Sequence, residues 1–342
     1  MTTLSAAPAL EAPARQVGRR TLSLVDHNRD DRRLAVDVWY PAVESTEPLT
    51  RYEVLPSIAF EAAVARDSPS VAAGLHPLLI VSHGRTGMGI AYSLLCESLA
   101  ARGFIVVAPD HPGDALNDWL SGTFVDDRAN EVGRVADARF LLDVLLDPNG
   151  AAPELSAAVD PDRIAIVGHS YGAYTGLGAA AGVHGVAADE RVRAVAGLQP
   201  YTRSMSDAAL GRVHVPTLIV VSEHDTTTPI ATDGDRPWAL IPARPMWRLD
   251  LGSAAHHASS DMGLYLELAG QIPDLPPMVA TYVAMMTPDM IGPHLRAWRD
   301  GLGIVVRAVS AFLDVALSID IERGEAEAAV LSATHDVTLQ RR

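Results

Sequence analysis

The pentapeptide Gly168-His169-Ser170-Tyr171-Gly172 holds the residue best placed for nucleophilic chemistry. The run from Arg163 to Val167 before it reads as a short buried strand, and the small residues Ala173 to Ala181 after it read as a closely packed helix. Strand, Gly-x-Ser-x-Gly, helix is the context of a nucleophile elbow, a turn too tight for large neighbours that lifts the serine above the carboxyl edge of a sheet. A chance match in a glycine-rich loop would lack both flanking elements. A nucleophilic serine needs a base, and the base an orienting acid. The strand expected at 216–221 is followed by Glu223, His224 and Asp225, and the strand expected at 246–251 by His256 and His257. Asp225 and His256 therefore lie just past strand ends, on the edge where Ser170 emerges, in the order serine, acid, histidine that such sheets require. Glu223 is the rival acid, set nearer its strand. His257 is the rival base and would need one more residue of reach. Acyl transfer also needs N–H donors for an oxyanion. The backbone of Tyr171 supplies one, and the loop His83-Gly84-Arg85-Thr86-Gly87 after a strand at 77–82 supplies the other, from Arg85 or, second, Thr86.

The elements that must position these residues alternate along the chain. Strands are expected at 77–82, 104–108, 163–167, 192–198, 216–221 and 246–251, and helices at 88–102, 128–146, 171–182 and 295–318. Such alternation implies a doubly wound, mostly parallel sheet. Before it, Arg20 to Val25 and Arg33 to Tyr40 alternate in polarity as an antiparallel edge hairpin turned by the polar run Asp26 to Asp31. Residues 1–16, rich in Ala and Pro, read as a flexible arm, 42–76 as an irregular connection, 17–320 as a single domain and 321–342 as a tail. Two segments are placed to cover the site. Residues 112–127 carry Trp119 and Phe124 in a polar loop. Residues 261–293 carry Met262, Met278, Met285, Met286 and Met290, five of the chain's nine methionines, and read as a lid or an apolar pocket wall. With Tyr201 and Trp238 after later strands, Trp119 is expected to bind substrate in an apolar pocket.

Four stretches carry a family resemblance: Leu34 to Pro41, Ile80 to Gly84, Val107 to Gly113, and the elbow with its downstream acid and histidine. On these, across about residues 17–260, the chain resembles serine α/β-hydrolases of the dienelactone-hydrolase-like and platelet-activating-factor-acetylhydrolase-like esterases; cutinase-type polyester hydrolases are similar in the core. The resemblance implies the α/β-hydrolase fold with lid-like insertions and hydrolysis of a small or medium apolar carboxylic ester. Dienelactone hydrolases proper use cysteine as nucleophile, so Ser170 points away from that reaction. An amidase or peptidase, or a perhydrolase or acyltransferase, would use the same triad, and a binding protein on this scaffold would use none of it.

Composition narrows the partners. The chain has 342 residues, 48% of them hydrophobic, and a net charge of −15, which disfavours nucleic acid and anionic membrane surfaces. No apolar run approaches the roughly 20 residues of a membrane span, and Met1 to Pro13 do not read as a signal peptide. The single cysteine, Cys96, lies among leucines on an expected helix and fits a reducing, cytoplasmic setting. His83, His111, His169, His224 and His256 cluster toward one sheet edge but lack metal-ligand spacing, and no phosphate or dinucleotide loop is present. No cofactor and no metal are expected, and the expected partner is a small-molecule ester.

Overall fold

The structure is a computed structural model and describes residues 2–4, 9–10, 15–55 and 58–342. Its strands are β1 (Thr2–Leu4), β2 (Val17–Asp26), β3 (Arg32–Pro41), β4 (Leu49–Leu55), β5 (Ile58–Asp67), β6 (His76–Ser82), β7 (Ile105–Pro109), β8 (Val159–His169), β9 (Ala194–Leu198), β10 (Thr217–Ser222), β11 (Met246–Leu251) and β12 (Val337–Arg341). They form one sheet in the order β1-β5-β2-β3-β7-β6-β8-β9-β10-β11-β12, with β4 paired to β5. From β7 through β11 every neighbouring pair is parallel, while β2–β3, β3–β7, β4–β5 and β11–β12 are antiparallel. The expected doubly wound sheet with an antiparallel hairpin toward one edge is therefore the architecture found.

The central strands carry apolar runs, such as Leu78 to Val81 and Ile164 to Val167, because both of their faces are covered there. Alternate side chains go to opposite cores: Leu79, Val81, Ala165, Val167, Leu218 and Val220 to one, and Leu78, Ile80, Ile164, Ile166, Ile219 and Val221 to the other. The helices divide accordingly. They run α1 (Ser93–Ala101), α2 (Leu116–Ser121), α3 (Asp127–Leu145), α4 (Pro153–Ser156), α5 (Tyr171–Ala181), α6 (Asp207–Leu210), α7 (Arg236–Leu240), α8 (Met262–Ala269), α9 (Pro277–Met286), α10 (Trp298–Ala316) and α11 (Ile321–Ala333). Helices α1, α10 and α11 pack on the first core, α3 and α5 on the second. The helix α10 shows how: Leu302, Val305, Val306, Val309, Phe312 and Leu313 recur on one face and are fully buried.

Two expectations are corrected. Residues 42–76 are not merely an irregular connection, since they contain β4 and β5, which extend the sheet beyond the hairpin. Residues 321–342 are not a tail: α11 packs on α10, and β12 runs antiparallel along β11, where it pairs the outer edge of that strand. Both segments form through contacts remote in sequence, so their local patterns are weak. The expectation of a flexible arm at 1–16 lies in part outside the described residues; within them, Thr2–Leu4 pairs with β5. The polar loop at 112–127 contains the short α2.

Candidate active site

Ser170 stands between β8 and α5 with φ 54° and ψ −118°, a backbone state that a side-chain-bearing residue seldom adopts. The neighbours explain why the turn can close. A Cβ on Gly168 would run into the Gly172 carbonyl, and one on Gly172 into the Ser82 carbonyl of the adjacent strand. The serine N–H donates to Leu198 O at 2.9 Å, and its carbonyl accepts from Tyr201 N–H at 3.0 Å. The turn is thus stitched to the end of β9.

Asp225 follows β10 and His256 follows β11. His256 Nδ1 donates to Asp225 Oδ2 at 2.8 Å. The other carboxylate oxygen accepts the N–H groups of Thr227 and Thr228 at 2.9 and 2.8 Å. Burial alone would push the Asp225 carboxyl up, but the hydrogen bonds from His256 and Thr228 outweigh it and hold the group below its ordinary value. The rivals lack this pairing. Glu223 is exposed and accepts the Ser253 N–H at 2.9 Å, while His257 Nδ1 meets only Ser260 Oγ, at 3.5 Å.

Beneath this pair runs a directional chain of hydrogen bonds that the sequence did not reveal. His169 Nε2 donates to the His256 carbonyl at 2.8 Å, because a carbonyl can only accept. In a neutral ring Nδ1 must then accept, so Tyr92 Oη donates to it at 2.8 Å and itself accepts the Gly84 N–H at 3.2 Å. Burial, with His256 alongside, pulls the His169 pKa down to about 3, which keeps the ring neutral. The chain ties the His83–Gly87 loop to the histidine loop. Gln199 does the same on the acid side: its Oε1 accepts from Ser259 Oγ at 2.6 Å and its carbonyl from Thr228 Oγ1 at 3.1 Å.

The His83–Gly87 loop rests on a buried guanidinium. Arg134, on α3, donates to the carbonyl of His83 at 2.8 Å and to Asp114 at 2.9 Å. His111 donates to Asp137 Oδ2 at 3.0 Å and accepts from Ser82 Oγ at 2.9 Å. Burial and the nearby Arg134 bring its pKa down to about 4. A signal for Arg134 exists in the sequence, since it shares a helix face with Ala138, Leu141 and Leu145 and so places a charge on an apolar stripe. Tyr92 and Gln199 carry no such local signal. Of the two oxyanion donors considered on this loop, Thr86 N–H is already given to Asp114 O at 3.0 Å. Arg85 N–H has no partner among the described residues, and Tyr171 N–H heads α5, where no intrahelical acceptor exists. The Arg85 side chain reaches Asp127 at 2.8 Å and Asp114 at 3.3 Å, and lies over the Tyr171 ring.

A cavity of about 240 Å³ brings Ser170, His256, His257, Arg85 and Gly84 together with Met262, Tyr282, Met285, Met286 and Asp289. The segment 261–293 therefore walls the site. The three residues expected to bind substrate do not line this cavity. Trp119 stands behind Tyr282, with ring centroids 5.5 Å apart. Tyr201 stacks on Tyr171 at 4.3 Å. Trp238 lies under the Arg342 guanidinium, 4.4 Å away, because it ends the crossover that returns to the start of β11 at the opposite edge of the sheet. Among the described residues no group of three or more His, Cys, Asp or Glu side chains is gathered to hold a metal ion. The histidines His83, His111 and His169 have both ring nitrogens engaged within the protein.

Comparison with known proteins agrees with this fold. The model of the alpha/beta hydrolase family matches residues 78–325. Platelet-activating factor acetylhydrolase of Canis lupus familiaris is 26% identical over 196 residues, 46% of this chain and 42% of that protein. The Bos taurus protein of the same name is 26% identical over 187 residues, 43% of this chain and 40% of the other. Each match spans less than half of the relative. Among solved structures, a ferulic acid esterase from Streptomyces cinnamoneus superposes with a TM-score of 0.69 at 24% identity, over 90% of this chain and 93% of that one. That likeness speaks to the fold.

Proposed function

This chain belongs to the alpha/beta hydrolase family, and from that premise we propose that it is a carboxylic ester hydrolase working through a serine acyl-enzyme. One observation supports this most: His256, hydrogen-bonded to Asp225 at 2.8 Å, opens on the same cavity as Ser170 at its strained turn. In the proposed reaction His256 Nε2 takes the hydroxyl proton as Ser170 Oγ bonds to the ester carbonyl carbon. Asp225 holds the imidazole tautomer and stabilises its cation. The N–H groups of Arg85 and Tyr171 receive the developing oxyanion. Collapse breaks the ester C–O bond, and His256 returns the proton to the departing alcohol. Water then repeats the sequence on the acyl-enzyme to release the acid. Every proton is carried by His256, so the cycle as proposed calls for no cofactor. Cys96 is buried, and burial pushes its thiol well up; a lone unreactive thiol suits a reducing compartment, and the cytoplasm is the proposed location.

The test is labelling with a fluorophosphonate probe and turnover of a neutral ester such as ethyl acetate. The wild-type protein should be labelled at Ser170 and turn the ester over. Ser170→Ala should lose both, with turnover down by about three orders of magnitude or more. An alanine variant retaining a tenth of wild-type turnover would overturn the reading.

A further inference from the structure

A second cavity, of about 80 Å³, adjoins the catalytic one, and Met262 and Tyr282 line both. Its other walls come from distant parts of the chain: Val54 and Ile58 at the facing ends of β4 and β5, Leu120 on α2, and Leu268 and Val279 on α8 and α9. Among the described residues, none that lines it carries a charge. The only side-chain oxygens on its wall, among the described residues, are two tyrosine hydroxyls, and both are committed to backbone carbonyls: Tyr265 donates to Ile90 O at 2.8 Å and Tyr282 to Thr86 O at 3.4 Å. The contrast with the catalytic cavity, which presents Ser170, His256, Arg85 and Asp289, is sharp. A space so lined offers water few partners and favours apolar molecules. Left unfilled, its walls forgo the dispersion contacts that close packing supplies elsewhere.

We propose that this second cavity is a substrate subsite that takes the hydrocarbon chain of the ester, with Met262 and Tyr282 as the shared wall past which the chain leaves the reacting carbonyl. The proposal rests on the esterase reading above and narrows it to esters with one aliphatic chain of several carbons. Methionine suits the shared position, since its unbranched side chain repacks around chains of different length. Tyr282 is held from outside by Trp119, which gives that residue a supporting place in the subsite without touching substrate. The chain can belong to either side of the ester bond, and the experiment separates the two.

Ethyl acetate, ethyl octanoate and octyl acetate would be compared with the wild-type protein and with Val279→Trp and Leu120→Trp, which fill the cavity from two different helices at partly exposed positions. Each methylene buried contributes about fourfold, so one of the two octyl esters should exceed ethyl acetate in kcat/KM by at least tenfold. Ethyl octanoate in that role assigns the cavity to the acyl chain, and octyl acetate assigns it to the alcohol. Each tryptophan variant should cut the ratio of the preferred octyl ester to ethyl acetate by tenfold or more. Calorimetric binding of 1-octanol, which requires no turnover, should be lost in the same variants. Ester turnover with an octyl-to-ethyl ratio that neither tryptophan moves would overturn the subsite and leave the esterase reading standing. Absence of all ester turnover, with 1-octanol bound by the wild-type protein and not by the variants, would overturn the esterase reading and with it the ester subsite, leaving a cavity that binds an aliphatic chain.

Discussion

At the scale of single residues, the adjacent histidines separate by what their ring nitrogens reach. His256 turns one nitrogen to Asp225 and its ring into the cavity, whereas His257 also borders the cavity but finds only a long contact to Ser260. Burial and the neighbouring His256 keep the His257 ring well below its ordinary pKa, so it stays neutral. If His256 is the base, His256→Ala should lower kcat on ethyl acetate by about 10³-fold or more, as loss of one cooperating group does in other triads. His257→Ala should change KM or stability, by about tenfold at most, with kcat largely kept. Circular dichroism must show both variants folded. A dead His257→Ala beside an active His256→Ala would reverse the assignment.

At the scale of elements, Asp261 links three of them. Its Oδ2 accepts from Ser93 Oγ at 2.7 Å and from Leu94 N–H at 3.1 Å at the start of α1, its N–H donates to Ala91 O, and it immediately precedes α8. Its Oδ1 is buried without a partner, as suits a protonated carboxyl. Burial raises its pKa to about 7, against the lowering effect of the Ser93 and Leu94 hydrogen bonds. A folded-state value above the unfolded one means that the folded protein binds the extra proton. The stabilisation is therefore complete below the unfolded value near pH 4 and is lost as pH rises toward 7. Asp261→Asn, which cannot titrate, should remove this dependence. Urea unfolding at pH 5 and pH 8 should show wild-type stability relative to the variant falling by roughly 2 kcal/mol at the higher pH. A difference that is constant across the range would mean that Asp261 is ionised in the fold.

At the scale of the whole molecule, charge shapes what reaches the site. The chain carries a net −15, and Asp289 adds a carboxyl to the cavity wall, its pKa raised by burial. Arg85, the cation of that wall, is paired with Asp114 and Asp127. An ester bearing a free carboxylate should therefore be disfavoured against a neutral ester of equal size. In 10 mM buffer at pH 8, kcat/KM for monoethyl succinate should fall below that for ethyl butyrate, and added salt should narrow the gap, because screening shortens the reach of the field. Asp289→Asn should narrow it further at low salt. An unchanged gap from low to high salt would show that size, and not charge, sets the preference.

The sequence alone determined the parts of this protein that are written locally. Runs such as Leu78 to Val81 and Ile164 to Val167 are apolar on both faces, so they are legible as central strands, and glycine at 168 and 172 marks a turn that no side chain could enter. The order Ser170, Asp225, His256 could be read because each follows a strand that the sequence shows. Only the tertiary structure decided the rest. The strands β4, β5 and β12 take their form from partners remote in sequence, and a strand's stability lies in those pairings more than in its own residues. The wall of the cavity comes from α8 and α9, and not from Tyr201 or Trp238, because the direction in which a crossover carries its side chains depends on where it packs. Tyr92 and Gln199 carry no local signal, and Arg134 shows only as a charge on an apolar helix face. Their place beneath the site exists because folding leaves buried N–H, carbonyl and imidazole groups that must each find a partner.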